Sequence, residues 1–473
     1  MDESQNNYLV GKSNSKPPFL KIILASMIIL IFVLSIATGD QLLILLPTLA
    51  SSFIGSIFLL ILVARFKKTF ISEIGFIYIC FLLIYSILPA LVILVSDGSS
   101  VNWVSGKLEN LLPTQSLLAN HLWRHTLYIF GFCLGYLFLR GNKEIANSSL
   151  VTNRHDFAIQ VLLGLSIFTI VYLYFASAPV TTYHETYVRY DHLSYIPKKI
   201  VSILIRAKLG IYICLFTLLF MQYQKYKKLI YLLLLLFITY EILFSLGARI
   251  FSFLLLLLAM CLYNVMVKPI RIKRILVSAL ILSSIYGSIE VIRLSNDSVK
   301  ITDQALAAPG EIAAVYFSGF HLYQERSQGT LPPRDWQMFF WDLIYPFAFS
   351  SFTDWSPFYW YAKNYYPDAI VPPETIGPIA ESALWGGEMD LFFRAFLNGV
   401  LFAYFVRWLI KRSDKWWAAS IYSLCYIISI LTIKYSVLHV LTYLTKSLLP
   451  VTILTVLILG KNTSAGNKAI TTY

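Results

Sequence analysis

The fold is decided by residues 228 to 274, which read KLIYLLLLLFITYEILFSLGARIFSFLLLLLAMCLYNVMVKPIRIKR. Two apolar runs, 228 to 246 and 250 to 267, are separated only by the turn at Gly247 to Arg249, and lysines and arginines follow the second run. About 20 mostly apolar residues suffice for one helix to cross a bilayer. The stretch therefore predicts two membrane helices joined by a tight turn.

Apolar runs of this kind recur along the whole chain of 473 residues, which is 58% hydrophobic and 13% charged, with a mean hydropathy of +0.68. Soluble domains carry about 25% charged residues. An all-α polytopic membrane protein is therefore predicted, without a separate soluble domain. The net charge of +13 would suggest nucleic acid for a soluble protein, but in a membrane protein basic residues sort by side of the bilayer. No nucleic-acid partner is expected.

About twelve transmembrane helices are predicted from the apolar runs. They lie at 20–38, 42–64, 74–96, 122–139, 157–176, 201–221, 228–246, 250–267, 275–292, 391–410, 417–433 and 441–460. With the N-terminus inside, the basic turns all fall on one side, as the positive-inside rule requires. Three regions follow: spans one to nine in 1–292, one large extracytoplasmic loop in 293–390, and the last three spans with a cytoplasmic tail in 391–473.

Several cations lie at the outer ends of helices, against this bias. Arg206 and Lys208 come about five to eight residues into a span that enters from outside, and Arg249 follows a turn too short to leave the membrane surface. A basic side chain near a helix centre costs about 2.5–3.5 kcal/mol on insertion scales. An anionic ligand would compensate for that cost. The alternative is snorkelling to the interface, or pairing with acidic residues such as Glu241 and Glu290.

Diphosphate suits such a cluster, because arginine forks match phosphate oxygens and stabilise a departing pyrophosphate without a metal. The candidate diphosphate-binding residues are Arg249, Arg206, Lys208, Arg189, Arg293 and Arg394. Arg124 and Lys434 lie on the same side. No His/Cys cluster at zinc spacing is present, and the five cysteines fall inside apolar runs, so neither a metal nor another cofactor is expected.

The polar stretch 293–390 holds 12 of the 25 acidic residues, and 15 aromatic side chains lie between Trp336 and Tyr366. Such rings either anchor the stretch at the membrane interface or form a platform on which sugars stack. The candidate glycan-binding residues are Trp336, Trp355, Trp360 and Asp354.

The end of this stretch places carboxylates beside arginines at the start of a helix. Glu381 could take a proton from an attacking hydroxyl, with burial raising its pKa toward a useful range. Glu388 and Asp390 fit a helix-capping role better than Glu381 does. His321 is a second candidate base, because an imidazole needs little tuning.

Two segments resemble bacterial O-antigen and oligosaccharide repeat-unit polymerases. Ser245-Leu246-Gly247-Ala248-Arg249, which opens an apolar helix, resembles their small-residue segment ending in arginine. The stretch from Ala380 through Gly386-Gly387 to Phe396-Leu397-Asn398-Gly399 resembles their acidic, glycine-containing approach to the next helix. The plan of about a dozen spans with a large outer loop before the last helices is similar too.

The resemblance implies a GT-C-like glycosyltransferase of the polymerase/ligase type in the bacterial inner membrane. Such an enzyme transfers a growing glycan from undecaprenyl diphosphate to the nonreducing end of another lipid-linked repeat, with inversion, without a metal and on the periplasmic face. The implied partners are undecaprenyl-diphosphate-linked oligosaccharides, membrane lipids, a chain-length regulator and a flippase. Arg249 would hold the diphosphate, and Glu381 would orient or deprotonate the acceptor hydroxyl.

Two other functions stay open at this point. An O-antigen ligase would use the same donor with a lipid A core acceptor, although ligases usually show a histidine where this chain has its Glu381 region. A flippase or transporter of lipid-linked oligosaccharides would also suit twelve spans with buried cations. Transport favours polar groups at mid-membrane in both halves of the chain. Here the charges gather at the outer face, so the sequence favours the polymerase.

Overall fold

The computed structural model describes residues 40–67, 69–95, 115–143, 156–178, 190, 192–245, 249–267, 270, 310–333, 357–365, 376–412, 416–434, 445 and 447–448. Within these ranges all regular structure is helical and no strand occurs. The helices are labelled α1 to α12 among the described residues only.

The helix bounds follow the predicted spans closely in most of the chain. The helices are α1 Asp40–Arg65, α2 Ile74–Val95, α3 Gln115–Arg140, α4 Asp156–Ala176, α5 Tyr195–Tyr226, α6 Leu229–Ser245, α7 Arg249–Met266, α8 Gly310–Gln328, α9 Pro357–Tyr365, α10 Pro378–Leu384, α11 Gly387–Lys411 and α12 Trp416–Lys434. A 3₁₀ turn at Phe70–Ser72 joins α1 to α2. The predicted spans 20–38 and 275–292 lie outside the described residues, as does nearly all of 441–460.

Five of these helices are long and apolar enough to cross a membrane, by length and composition. The qualifying segments are Leu45–Arg65, Ser116–Arg140, Phe157–Ala176, Tyr195–Tyr226 and Gly387–Lys411. Shorter apolar helices lie at Ile74–Ala90, Leu229–Glu241, Leu254–Val265 and Ala418–Ile433. The chain is an α-helical membrane protein.

The structure adds two features to the sequence prediction. The helix predicted at 122–139 begins at Gln115, and its N-terminal part buries polar side chains such as His121 and Arg124. The stretch 293–390, predicted as one large extracytoplasmic loop, contains the helices α8, α9 and α10, and its side of the membrane stays a prediction. Because the stretch is highly polar, its hydropathy does not indicate these helices. They pack on one another and on the bundle.

Helices α3 and α11 pack closely enough for their backbones to touch. A Cβ added at Gly135 would lie 2.0 Å from the carbonyl oxygen of Phe396, and one at Gly399 would lie 2.3 Å from that of Phe132. Small residues at such crossings let membrane helices approach closely. Asn398 of α11 donates to the Tyr128 hydroxyl of α3 at 2.7 Å. This contact fixes α11 against α3.

A buried ion pair fixes the C-terminal end of α3. Arg140 Nε and Nη2 donate to the two carboxylate oxygens of Glu73 at 2.7 and 2.5 Å, and the Tyr136 hydroxyl donates to the same carboxylate at 2.7 Å. The Arg140 and Glu73 side chains are 1% and 0% exposed. Tyr422 of α12 donates to the carbonyl of Ser72 in the 3₁₀ turn. This end of the bundle is therefore tied together by paired polar groups.

Candidate functional site

The short helix α10 lies at the opposite end of α3, packed against α8, α11 and α3. Gly377 precedes it in an extended conformation, Pro378 opens it, and the Glu381 N–H donates to the Gly377 carbonyl at 2.9 Å. A Cβ at Gly377 would lie 2.4 Å from the carbonyl oxygen of Ile433, so glycine allows this close approach. Every residue of α10 is buried. The surrounding helices therefore determine where Glu381 lies.

Glu381 forms an ion pair with Arg394 of α11 inside the protein. Arg394 Nη1 lies 2.9 Å from Glu381 Oε1, and Arg394 Nε donates to Asp390 Oδ2 at 2.7 Å. The Glu381 side chain is 0% exposed, and among the described residues neither of its oxygens accepts a well-directed hydrogen bond. Among the described residues, the positive charge of Arg394 is therefore the main interaction that holds the carboxylate.

Burial raises the pKa of Glu381, the positive charge of Arg394 opposes that rise, and the negative charge of Asp390 adds to it. The direction is upward because desolvation of the carboxylate is the largest effect. A carboxylate with a raised pKa is a stronger base in its ionised form, which suits it to accept a proton from a hydroxyl.

Arg124 of α3 also contacts α10 and the first turn of α11. Its Nη2 donates to the Ser382 hydroxyl at 2.6 Å and to the Ile379 carbonyl at 3.1 Å, and its Nη1 donates to Glu388 Oε1 at 2.8 Å. The guanidinium carbon lies 5.0 Å from the centre of the Tyr323 ring. We call the group of Glu381, Glu388, Asp390, Arg124 and Arg394 the carboxylate-arginine cluster.

Helix α8 covers the C-terminal end of α10. Arg326 Nη1 donates to the carbonyl of Ala383 at 2.7 Å and to that of Trp385 at 3.1 Å. The last carbonyls of a helix lack intrahelical partners, and a guanidinium there satisfies them. Gly387, at φ +65°, then turns the chain into α11. Arg326 thus holds the C-terminal end of α10 in place.

His321 belongs to a second cluster, formed by α8 and α9. Its Nδ1 lies 3.1 Å from the Tyr361 hydroxyl and its Nε2 lies 3.5 Å from Glu325 Oε1, while the Tyr365 hydroxyl donates to Glu325. Burial lowers the pKa of His321, and Glu325 opposes that change. The imidazole is therefore neutral near pH 7 and able to accept a proton, but both ring nitrogens already have neighbours.

Two further histidines on α3 escaped the sequence prediction. His121 Nε2 and His125 Nε2 lie 3.3 Å apart, and the Ser86 hydroxyl lies 2.9 Å from His125 Nδ1. His125, with residues 377–380, also lines a small cavity beside α10. Their i, i+4 spacing in a helix was the available signal, together with Arg124 between them. From the sequence, Arg124 is predicted only as a cation on the outer side, not as a residue of the site.

The structure brings together two of the predicted site residues, Glu381 and Arg394. Lys208 is buried in α5 with its Nζ 5.4 Å from the Tyr212 ring centre. Helix α5 packs mainly against α4, α6 and α12, whereas α3, α10 and α11 build the carboxylate-arginine cluster. Trp360 is buried and donates its indole N–H to the Pro333 carbonyl at 3.2 Å. Trp360 thus belongs to the packing of α9 against its neighbours, and its predicted contact with a sugar stays a prediction.

The remaining predicted residues cannot be placed in the site. Arg249 begins α7 and Arg206 lies within α5, but their side chains are outside the described part of the chain. The other predicted residues outside the described ranges are Arg189, Arg293, Trp336, Trp355 and Asp354. Among the described residues no group of three or more His, Cys, Asp and Glu side chains could hold a metal ion.

The chain matches no family model, no curated protein and no solved structure. The geometry of the site and the chemistry of its residues are therefore the basis for inferring its function.

Proposed function

We propose that this protein is a membrane glycosyltransferase that polymerises undecaprenyl-diphosphate-linked oligosaccharide repeat units. In this proposal it has about twelve spans in a GT-C-like arrangement, both termini in the cytoplasm and its active site on the periplasmic face of a bacterial inner membrane. The observation that carries the proposal is the fully buried Glu381 carboxylate with Arg394 2.9 Å away and Arg124 bonded to the same short helix.

The proposed reaction uses these residues in complementary roles. Glu381 takes the proton from a sugar hydroxyl of the acceptor, and the hydroxyl oxygen attacks the anomeric carbon of the donor glycan. The bond from that carbon to the diphosphate oxygen breaks, so the configuration inverts and the diphosphate lipid leaves with the electron pair. Arginines neutralise the charge that develops on the leaving group. Arg394 already contacts Glu381, and in this reaction it would also contact the donor diphosphate.

One feature of the cluster favours this chemistry over a purely structural ion pair. The Arg140–Glu73 pair in the same protein shows what a structural pair looks like, with both carboxylate oxygens receiving directed hydrogen bonds. Glu381 is as buried as Glu73 but lacks such bonds among the described residues. A buried carboxylate normally finds hydrogen-bond donors, and exceptions cluster at functional sites.

Incubation of the purified protein with lipid-linked repeat units tests the proposal directly. A ladder of glycans growing by one repeat is expected from the wild type and from Met389→Gln, an exposed neighbour outside the cluster. Glu381→Gln should give no ladder. A single transfer, seen only when lipid A core is added, would indicate a ligase instead. Movement of intact lipid-linked repeats across a vesicle membrane without new glycosidic bonds would indicate a flippase.

A further inference from the structure

Arg124 and Arg140 are both buried arginines of α3, but their counter-ions differ. The Arg124 and Glu388 side chains are 2% and 62% exposed, whereas those of Arg140 and Glu73 are 1% and 0% exposed. Glu73 binds Arg140 through both oxygens, whereas a single hydrogen bond of 2.8 Å joins Arg124 to Glu388. Glu388 therefore reaches from the surface to a guanidinium that is otherwise enclosed.

The guanidinium of Arg124 is held firmly but incompletely paired. Ser382 and the Ile379 carbonyl fix its Nη2, while its Nε is buried without a hydrogen-bond partner among the described residues. A buried N–H without an acceptor costs about 1–3 kcal/mol. Glu388 supplies one acceptor oxygen to Arg124. A ligand that brings more acceptor oxygens to the guanidinium would relieve that cost. A diphosphate carries such oxygens, and arginine is the side chain that binds them by two parallel hydrogen bonds.

We propose that Glu388 occupies the place of a phosphate group at Arg124 and that the diphosphate of the donor lipid displaces it. This inference rests on the proposed function, which it deepens by adding Arg124 to the donor site and Glu388 as its internal competitor. Glu388 lies in the first turn of α11, six residues before Arg394, and its side chain is exposed, so the displaced carboxylate can turn into solvent without moving the helix. Arg124 then faces the ligand from α3 while Arg394 faces it from α11.

The experiment measures equilibrium binding of two probes, undecaprenyl diphosphate and inorganic pyrophosphate, to the full-length protein in detergent micelles. Glu388→Gln weakens the competitor and is expected to lower Kd about two- to fivefold, the range for an exposed ion pair. Arg124→Lys is expected to raise Kd about tenfold or more, because a point charge replaces the fork. Thermal unfolding of each variant shows that it is folded.

Glu388→Asp separates displacement from a general effect of negative charge. The shorter side chain withdraws the carboxylate by about 1.5 Å, one carbon–carbon bond, and the 2.8 Å contact then exceeds hydrogen-bond range. Its charge is unchanged, so Kd should fall as in Glu388→Gln if Arg124 is released. Met389→Gln, on the exposed neighbouring residue, should leave Kd unchanged.

Tighter binding of both probes by Glu388→Asp would assign the site to the diphosphate itself. Tighter binding of undecaprenyl diphosphate alone would show that the site recognises the diphosphate together with the lipid next to it. The proposal is overturned if folded Glu388→Gln and Glu388→Asp both bind the two probes like the wild type. Because the assay needs no acceptor, its outcome is independent of whether the protein makes a glycan ladder.

Discussion

Replacing Gly135 by alanine should push α3 and α11 apart. The new Cβ would lie 2.0 Å from the Phe396 carbonyl oxygen, where ordinary contact begins at 3.4 Å, so the two backbones must separate by about 1.4 Å. No side-chain rotation relieves this clash, because the opposing atom belongs to a helix backbone. The same movement would lengthen the 2.7 Å hydrogen bond from Asn398 to Tyr128 beyond its useful range.

The expected loss of stability is about 2 kcal/mol. Overpacking of a close interface costs about 1–3 kcal/mol, and the upper value applies here because the obstacle is rigid. The greater helix propensity of alanine returns about 1 kcal/mol. Gly164→Ala is the matched control, because Gly164 lies within α4 and its added Cβ meets nothing within 4 Å. That variant should be stabilised by up to about 1 kcal/mol, which leaves a difference of about 3 kcal/mol between the two.

Equilibrium unfolding of the purified protein in mixed micelles, by titration with sodium dodecyl sulfate, measures both variants against the wild type. Equal stabilities for Gly135→Ala and Gly164→Ala would refute the close approach of α3 and α11. A loss in both variants would show that alanine disturbs any membrane helix of this protein, and the packing argument would fail in that case too.

Arg249→Ala should abolish long glycan chains on a surface-polysaccharide gel while the protein remains in the membrane. Arg249→Lys should restore the chains poorly, because a point charge replaces the forked guanidinium. Chains of normal length from Arg249→Ala would contradict this role. Glu381→Gln should bind undecaprenyl diphosphate but lose transfer, and unchanged turnover would move the base to His321. In the wild type, burial raises the pKa of Glu381, so kcat/KM should fall with decreasing pH at a value above the ordinary glutamate pKa of about 4.3, as the base becomes protonated. Arg140→Met should cost about 3–5 kcal/mol of unfolding free energy because Glu73 is left buried and unpaired, whereas the double variant Arg140→Met, Glu73→Met should cost much less; additive losses in the unfolding titration would disprove that coupling.

Hydropathy predicted the described membrane helices well wherever lipid or apolar protein surrounds them. The span predicted at 74–96 is the helix Ile74–Val95, and 417–433 is Trp416–Lys434. It failed where polar side chains are buried by other helices. Helix α3 begins at Gln115, before the predicted span, and its N-terminal part carries the buried Arg124, which contacts α10 and α11. A hydropathy scale that measures transfer into lipid counts such turns as unfavourable for a membrane helix, although other helices bury their polar side chains.

The sequence predicted some residues of the site, but not how they are arranged. Glu381 and Arg394 stand out in the sequence because a carboxylate and an arginine flank the start of an apolar helix. Their contact follows from the turn at 385–387, which the local sequence makes plausible. The contribution of Arg124 could not be predicted, since it lies more than 250 positions from Ser382 and Glu388 and meets them only through the packing of α3 on α11.

The site geometry depends on that packing because α10 cannot hold itself in place. A helix of seven residues is too short to be stable alone in water, so its position is set by the helices around it. Arg124 fixes it to α3, and Arg394 fixes Glu381 to α11. A separation of these two helices at Gly135 would therefore loosen both contacts at once. Gly135→Ala should lower stability and activity together, whereas Glu381→Gln should lower activity while removing only one charge from the cluster.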